Sequence, residues 1–121
     1  MPSGRPHRPL LDAVALDDFG ADRYLLDAPG ATLLVFTTPG CAACRWARQS
    51  LPGMALPVQR IAWVDAGDNG GLVARYEVMR LPAFFLVCGG AFLGALEPMV
   101  READLIDAVR TALGRPVEEL P

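Results

Sequence analysis

The sequence predicts an α/β domain: a central mixed β-sheet flanked by helices on both faces, its elements in the order βαβαβαββα. Three observations carry that expectation. Residues 32–37 (Thr-Leu-Leu-Val-Phe-Thr) and 83–88 (Ala-Phe-Phe-Leu-Val-Cys) are strand-forming runs without polar alternation, as in strands covered on both faces. Helix-forming stretches separate successive strand runs, the alternation that builds parallel pairs with crossover helices. Gly89-Gly90 lies between two strand runs and signals a two-residue hairpin, which adds an antiparallel return at the end of the sheet.

The elements follow in order. Residues 1–11 form a Pro/Arg-rich leader, with Pro2, Pro6 and Pro9, and flexibility is expected there; the domain spans 12–114, and 115–121 is a short tail. Residues 13–16 are a short apolar run. Asp17-Asp18 then offers an N-cap for a helix carrying Phe19, Tyr24, Leu25 and Leu26, stopped by Pro29-Gly30. After the strand 32–37, Pro39-Gly40 turns the chain into a helix over 41–51, stopped by Pro52-Gly53, so Cys41 falls at its N-terminus. Residues 59–65, with Ile61, Trp63 and Val64, read as a second central strand, and Asp68-Asn69 as caps of a short helix reaching Tyr76. Strands 83–88 and 91–96 should pair antiparallel. A closing helix over 102–113 places Leu105, Ile106, Val109, Ala112 and Leu113 on one stripe, with Gly114 as its stop.

Composition narrows the function. The chain has 121 residues, enough to bury a core without disulfide or metal, so stability does not explain its three cysteines. Its 11 basic residues are all arginine, against 14 acidic ones, for a net charge of -3. That balance speaks against nucleic-acid binding and against an anionic membrane surface, and the lack of lysine excludes a lysine-ended phosphate loop. His7 is the one histidine, which leaves little for a histidine-based catalytic or metal site. The uncharged stretches 28–44 and 81–96 are interrupted by Pro-Gly or Gly-Gly pairs and fall short of a membrane span. Sparse cysteines in odd number and no export pattern at the N-terminus make a cytoplasmic setting the expectation.

Cys41 and Cys44 carry the chemistry. Cysteines at i and i+3 with the first at a helix start share a face and can reach disulfide distance. Free N–H groups and the helix dipole favour a thiolate at Cys41, the candidate nucleophile, while Cys44, one turn in, is placed to attack a mixed disulfide on Cys41. The competing readings are half a zinc site, for which only Cys88 and His7 remain as further ligands, and two structural cysteines. Cys88 reads as a buried, inert thiol, and Trp46 as a rim residue beside the motif.

From Ala13 to Leu113 the chain resembles the thioredoxin family. The strand 33–36 leads into Cys41-Ala-Ala-Cys44, Asp65 closes the next strand, Tyr76-Glu77-Val78 precedes Leu81-Pro82, and Gly89-Gly90 turns the last hairpin. The resemblance implies a thioredoxin fold and a cytoplasmic disulfide reductase of cell redox homeostasis, with catalytic Cys41 and Cys44. It further implies substrate contacts at Gly40, Trp46, Leu81 and Pro82, with Pro82 cis; on residue grounds alone a trans proline opening the strand is the alternative. No cofactor or metal is expected, and the expected partners are disulfide-containing proteins and an electron donor of the thioredoxin reductase type, the protein itself acting as a monomer.

The departures are specific. The family's buried aspartate six residues before the first cysteine is Val35, and its buried lysine falls at Ile61, or at Arg60 if the register slips. Gly40 stands where the family has tryptophan, Ala42-Ala43 replace Gly-Pro, and Gln49 replaces a helix-kinking proline. Without the positioned acid, resolution by Cys44 should be slow near neutral pH. Two other classes compete: a binding module that presents the Leu81-Pro82 edge with little reductase activity, and a glutathione-dependent enzyme, against which the leading β-α unit counts.

Overall fold

The computed structural model describes residues 10–99 and 101–121; His7 and residues 1–9 of the leader lie outside them. The elements are β1 (Asp12–Leu16), α1 (Ala21–Asp27), β2 (Ala31–Thr37), α2 (Ala42–Ser50), a 3-10 turn (Leu51–Gly53), β3 (Arg60–Asp65), α3 (Gly70–Arg75), β4 (Ala83–Cys88), β5 (Ala91–Leu96) and α4 (Glu102–Leu113). They form one mixed sheet in the order β1-β3-β2-β4-β5. β1 and β2 run parallel to β3, whereas β4 is antiparallel to both β2 and β5. The expected βαβαβαββα order is the observed one.

Every residue of β2 is buried, as its unbroken apolar run requires of a central strand. Its alternate side chains feed two cores. Leu33 and Val35 join Ile61, Trp63, Phe84 and the α2 and α4 residues Ala47, Leu105 and Val109 on one face. Leu34 and Phe36 join Leu25 of α1, Leu72 of α3, Tyr76 and Phe85 on the other. On that second face Tyr76 sits among Phe36, Phe85 and Phe92 at ring separations of 5.6, 5.3 and 5.8 Å, and its hydroxyl is buried without a hydrogen-bond partner among the described residues.

Two helix faces are narrower than the periodicity predicts. In α1 only Ala21 and Leu25 are buried, and Phe19 and Leu26 face solvent. In α4 the buried stripe is Leu105, Val109 and Ala112, while Leu113 is exposed and Ile106 only partly covered. A short helix on a two-faced sheet meets the core along one line, so apolar residues a quarter turn away stay wet.

The caps also differ from expectation. Gly20, not an aspartate, holds the N-cap position of α1, while Asp17 Oδ1 accepts from the Phe19 and Gly20 N–H groups at 3.0 and 2.8 Å. Asp18 reaches across the fold and caps α3, accepting from Gly71 and Leu72 N–H at 3.2 and 2.8 Å. Asn69 holds the α3 N-cap position, but its Oδ1 accepts from Asp18 N–H and its Nδ2 donates to Asp65 O, both at 2.9 Å. The segment before α1 thus caps α3, and Asn69 ties the two together on the same face of the sheet. A cap of this kind is worth about 1 kcal/mol.

Gly89 and Gly90 make the β4–β5 turn with φ of 56° and 84°, the left-handed pair that a two-residue hairpin of this twist needs. Residues 115–121 lie along the free side of β5. Phe92 and Glu118 exchange two main-chain hydrogen bonds of 2.8 and 2.9 Å, Arg115 donates to Leu93 O and Ala95 O, and Arg75 bridges Asp22 to a main-chain oxygen of Pro121. An edge strand covered in this way is closed to further pairing at that point.

Candidate functional site

The site forms where β2 ends. Thr38 to Gly40 turn the chain, Cys41 N–H donates to Thr38 O at 3.3 Å, and Cys41 becomes the N-cap of α2 in extended geometry. Its sulfur takes the place of a capping oxygen, accepting from Cys44 N–H at 3.2 Å. This is the local arrangement the motif predicts: a sulfur facing unpaired amides at a helix start.

The second half of the site comes from the loop before β4. Leu81–Pro82 is cis, as the family resemblance implied. The Cys41 thiol lies 3.7 Å from Leu81 O, in donor geometry. β2 and β4 are antiparallel neighbours, Phe36 opposite Ala83, so the end of β2 and the start of β4 meet at one end of the sheet. Cys41, Cys44, Leu81, Pro82 and Gly40 are therefore gathered there. Gly40 is exposed, and a side chain added to it would meet nothing within 4 Å, so that flank of the motif is open. Trp46 is half-buried and packs against the β2–α2–α4 core.

The two sulfurs differ sharply. Cys41 is partly exposed, and its thiol is held below its ordinary pKa, first by hydrogen bonding from Cys44 and then by the main-chain amides of Cys44 and Ala43, with Arg45 adding a favourable charge. Arg45 is itself fastened to Pro39 O at 3.2 Å; Arg80, the other arginine flanking the site, is exposed. Cys44 is 1% exposed, and burial, then the hydrogen bond to Cys41, pushes its thiol up to about 11. Both cysteines are free thiols in this structure.

Among the described residues no acid or amine takes the place of the groups missing from the sequence. Val35 and Ile61 are fully buried in the apolar core, and Arg60 is turned to Thr32 Oγ1 at 2.8 Å. Sequence reasoning missed one residue, Arg48. It lies four positions after Cys44 on α2, donates from Nε to Thr37 Oγ1 at 3.2 Å, and sets its guanidinium 4.8 Å from the centre of the Trp63 ring. The i+4 spacing was the available signal.

Cys88 is half-buried and not fully buried as expected, because it closes β4 where the strand leaves the core. It pairs with Ala31 at the start of β2, a strand length of roughly 20 Å from the motif. Among the described residues no group of three or more His, Cys, Asp or Glu side chains could hold a metal ion, and no helix is long and apolar enough to cross a membrane.

No protein-family model matches the chain, and no curated protein does. Solved structures do. A thioredoxin variant from Halobacterium salinarum is 18% identical over 96% of this chain and 100% of that one, with a TM-score of 0.69. Thioredoxin from Trypanosoma brucei brucei is 21% identical over 90% of this chain and 97% of that one, at 0.64. Human ERp44 in its zinc-bound form is 18% identical over 83% of this chain, at 0.62, and there the chain spans only 31% of the length of its counterpart. The fold is that of thioredoxin, as the sequence predicts.

Proposed function

We propose that the protein is a thiol-disulfide oxidoreductase that reduces disulfides in other proteins. The observation that carries this reading is the asymmetry of the pair: an accessible Cys41 with a lowered pKa facing the Leu81 main chain, and a buried Cys44 one turn behind it. The Cys41 thiolate attacks one sulfur of a substrate disulfide, that S–S bond breaks, and the departing thiolate takes a proton. Cys44 then loses its proton and attacks the Cys41 sulfur, forming the Cys41–Cys44 disulfide and expelling the second substrate thiol. Two electrons pass to the substrate, and a reductant of the thioredoxin reductase type returns the pair to dithiol. A cytoplasmic setting and monomeric action complete this reading, with no cofactor and no nucleic-acid or membrane partner.

Trapping tests it. With Cys44 absent, the mixed disulfide cannot resolve, so Cys44→Ser should retain proteins from an extract as reducible adducts on Cys41; adducts equally abundant on Cys41→Ser,Cys44→Ser would sink the assignment.

A second reading rests on Cys44. Burial pushes the Cys44 thiol up, to about 11 in the resting dithiol, and nothing titratable stands at Val35 to take its proton once Cys41 is held in a mixed disulfide. A binding or assembly module with the same fold would tolerate so slow a second step. Val35→Asp distinguishes the two: on protein shown to be folded, single-turnover resolution of a mixed disulfide at pH 7 should accelerate roughly tenfold or more if proton removal limits it. An unchanged rate would mean that proton removal from Cys44 is not the slow event.

A further inference from the structure

We infer that Arg48 is a positioning residue for the resolving thiol, holding a cation beside Cys44 where the site has neither buried acid nor amine. This rests on the oxidoreductase reading for its purpose, though not for its geometry. Arg48 follows Cys44 by four residues, so both lie on one face of α2. Two contacts hold its guanidinium: Nε donates to Thr37 Oγ1 at 3.2 Å, and the Trp63 ring lies under it at 4.8 Å. Thr37 is 1% exposed and Trp63 7%, so both supports are buried in the β2–β3 sheet, while Arg48 itself lies at the surface. Val35 pairs with Trp63 and Thr37 with Asp65, and alternate residues share a strand face, so the guanidinium is held over the end of the strand face that carries Val35.

The groups around Cys44 are few. Cys41 lies directly against it and raises its pKa, through a hydrogen bond and through charge. The main chain of Thr38, the residue after the one that holds Arg48, lowers it, and Arg48 lowers it through charge. Arg45 acts on Cys41. Asp65, at the end of β3, turns its Oδ1 to Gly67 N–H at 2.9 Å. β4 and the preceding loop contribute the uncharged Leu81, Pro82 and Ala83, with the charge of Arg80 exposed next to them. Arg48 is the side-chain cation whose charge favours the Cys44 thiolate, the smallest of these influences.

The consequence for the reaction is one of proton affinity. In the mixed disulfide, Cys41 is no longer a thiol, and Cys44 must shed its proton to solvent before its sulfur attacks Cys41 and the partner's sulfur departs as thiolate. A fixed cation stabilises the Cys44 thiolate without taking the proton. It is a weaker aid than a general base, and it works in a core that carries no buried carboxylate at Val35.

The test reads Cys44 directly. In a Cys41→Ser background, whose serine keeps the α2 cap, the Cys44 titration is followed by the Cβ shift of labelled cysteine in NMR. Arg48→Gln should move the midpoint up by about half a pH unit, the modest size expected of a half-solvated cation, and Arg48→Lys should recover most of that shift. With Cys41 restored, Arg48→Gln should slow mixed-disulfide resolution at pH 7 only about twofold, because a more basic thiolate is also the better nucleophile. An unmoved midpoint in Arg48→Gln overturns the inference. Equal shifts in the Gln and Lys variants overturn it too, since the contacts with Thr37 and Trp63, and not the charge, would then be responsible. The titration uses resting protein without substrate, so it can fail while disulfide reduction stands, and reduction can fail while the titration succeeds.

Discussion

Replacing Cys41 by serine is expected to lower the reduction of an insulin-type protein disulfide roughly a thousandfold or more, to the rate of the added dithiol alone, while leaving the fold intact. The size follows from what the sulfur does. Cys41 is the only sulfur of the pair that is both accessible and lowered in pKa, and the amides of Ala43 and Cys44 that lower it belong to the helix start. A serine oxygen can still cap α2, so stability should be little changed; its alkoxide is out of reach at neutral pH. Cys44 cannot substitute: it is buried and holds its proton to about 11. Turbidity or fluorescence of the reduced substrate measures the effect, and equal rates for wild type and Cys41→Ser would remove the enzyme reading in favour of the binding module.

The second large effect is a loss of stability in alkali. In the unfolded chain the Cys44 thiol ionises near 8.5; folded, burial holds the proton to about 11. Between those values the unfolded state binds fewer protons than the folded one, so stability falls as pH rises, by up to about 1.4 kcal/mol per pH unit, for a total on the order of 3 kcal/mol. Cys41 acts in the opposite sense at lower pH: its depressed pKa adds stability as pH rises toward 8.5. Tyr76, buried among phenylalanines and pushed up to about 12, prolongs the alkaline loss beyond pH 10. Urea unfolding of the dithiol form from pH 7 to 11 should show the decline, and Cys44→Ser should abolish the part between 8.5 and 10. The same slope in that variant would show that Cys44 does not retain its proton in the folded state.

Much of this was readable in the chain, and the reason differs from element to element. The run 32–37 declares a central strand because burial on both faces removes polar alternation, and β2 is wholly buried. Gly89-Gly90 declares the hairpin because few other pairs adopt two left-handed residues in succession. Phe19 and Leu26 misled, since apolar character says that a residue can be buried, not that a neighbouring element is there to bury it. Asp18 misled in a different way: its position before α1 suggested a local cap, but its carboxylate serves α3, 53 and 54 residues along the chain.

The same division runs through the site. The Cys41–Cys44 spacing, the helix start and the absence of acid at Val35 and of amine at Ile61 are properties of neighbouring residues or of single positions, and the sequence by itself determined them. That Leu81 O would stand 3.7 Å from Cys41, that Cys44 would be sealed from solvent, and that Arg48 would lie on Trp63 depend on strands β2, β3 and β4 meeting side by side. Periodicity and capping act within a turn or two of chain, whereas proton affinity at a buried sulfur is set by whatever the folded chain brings within a few ångströms; only the tertiary structure could decide that.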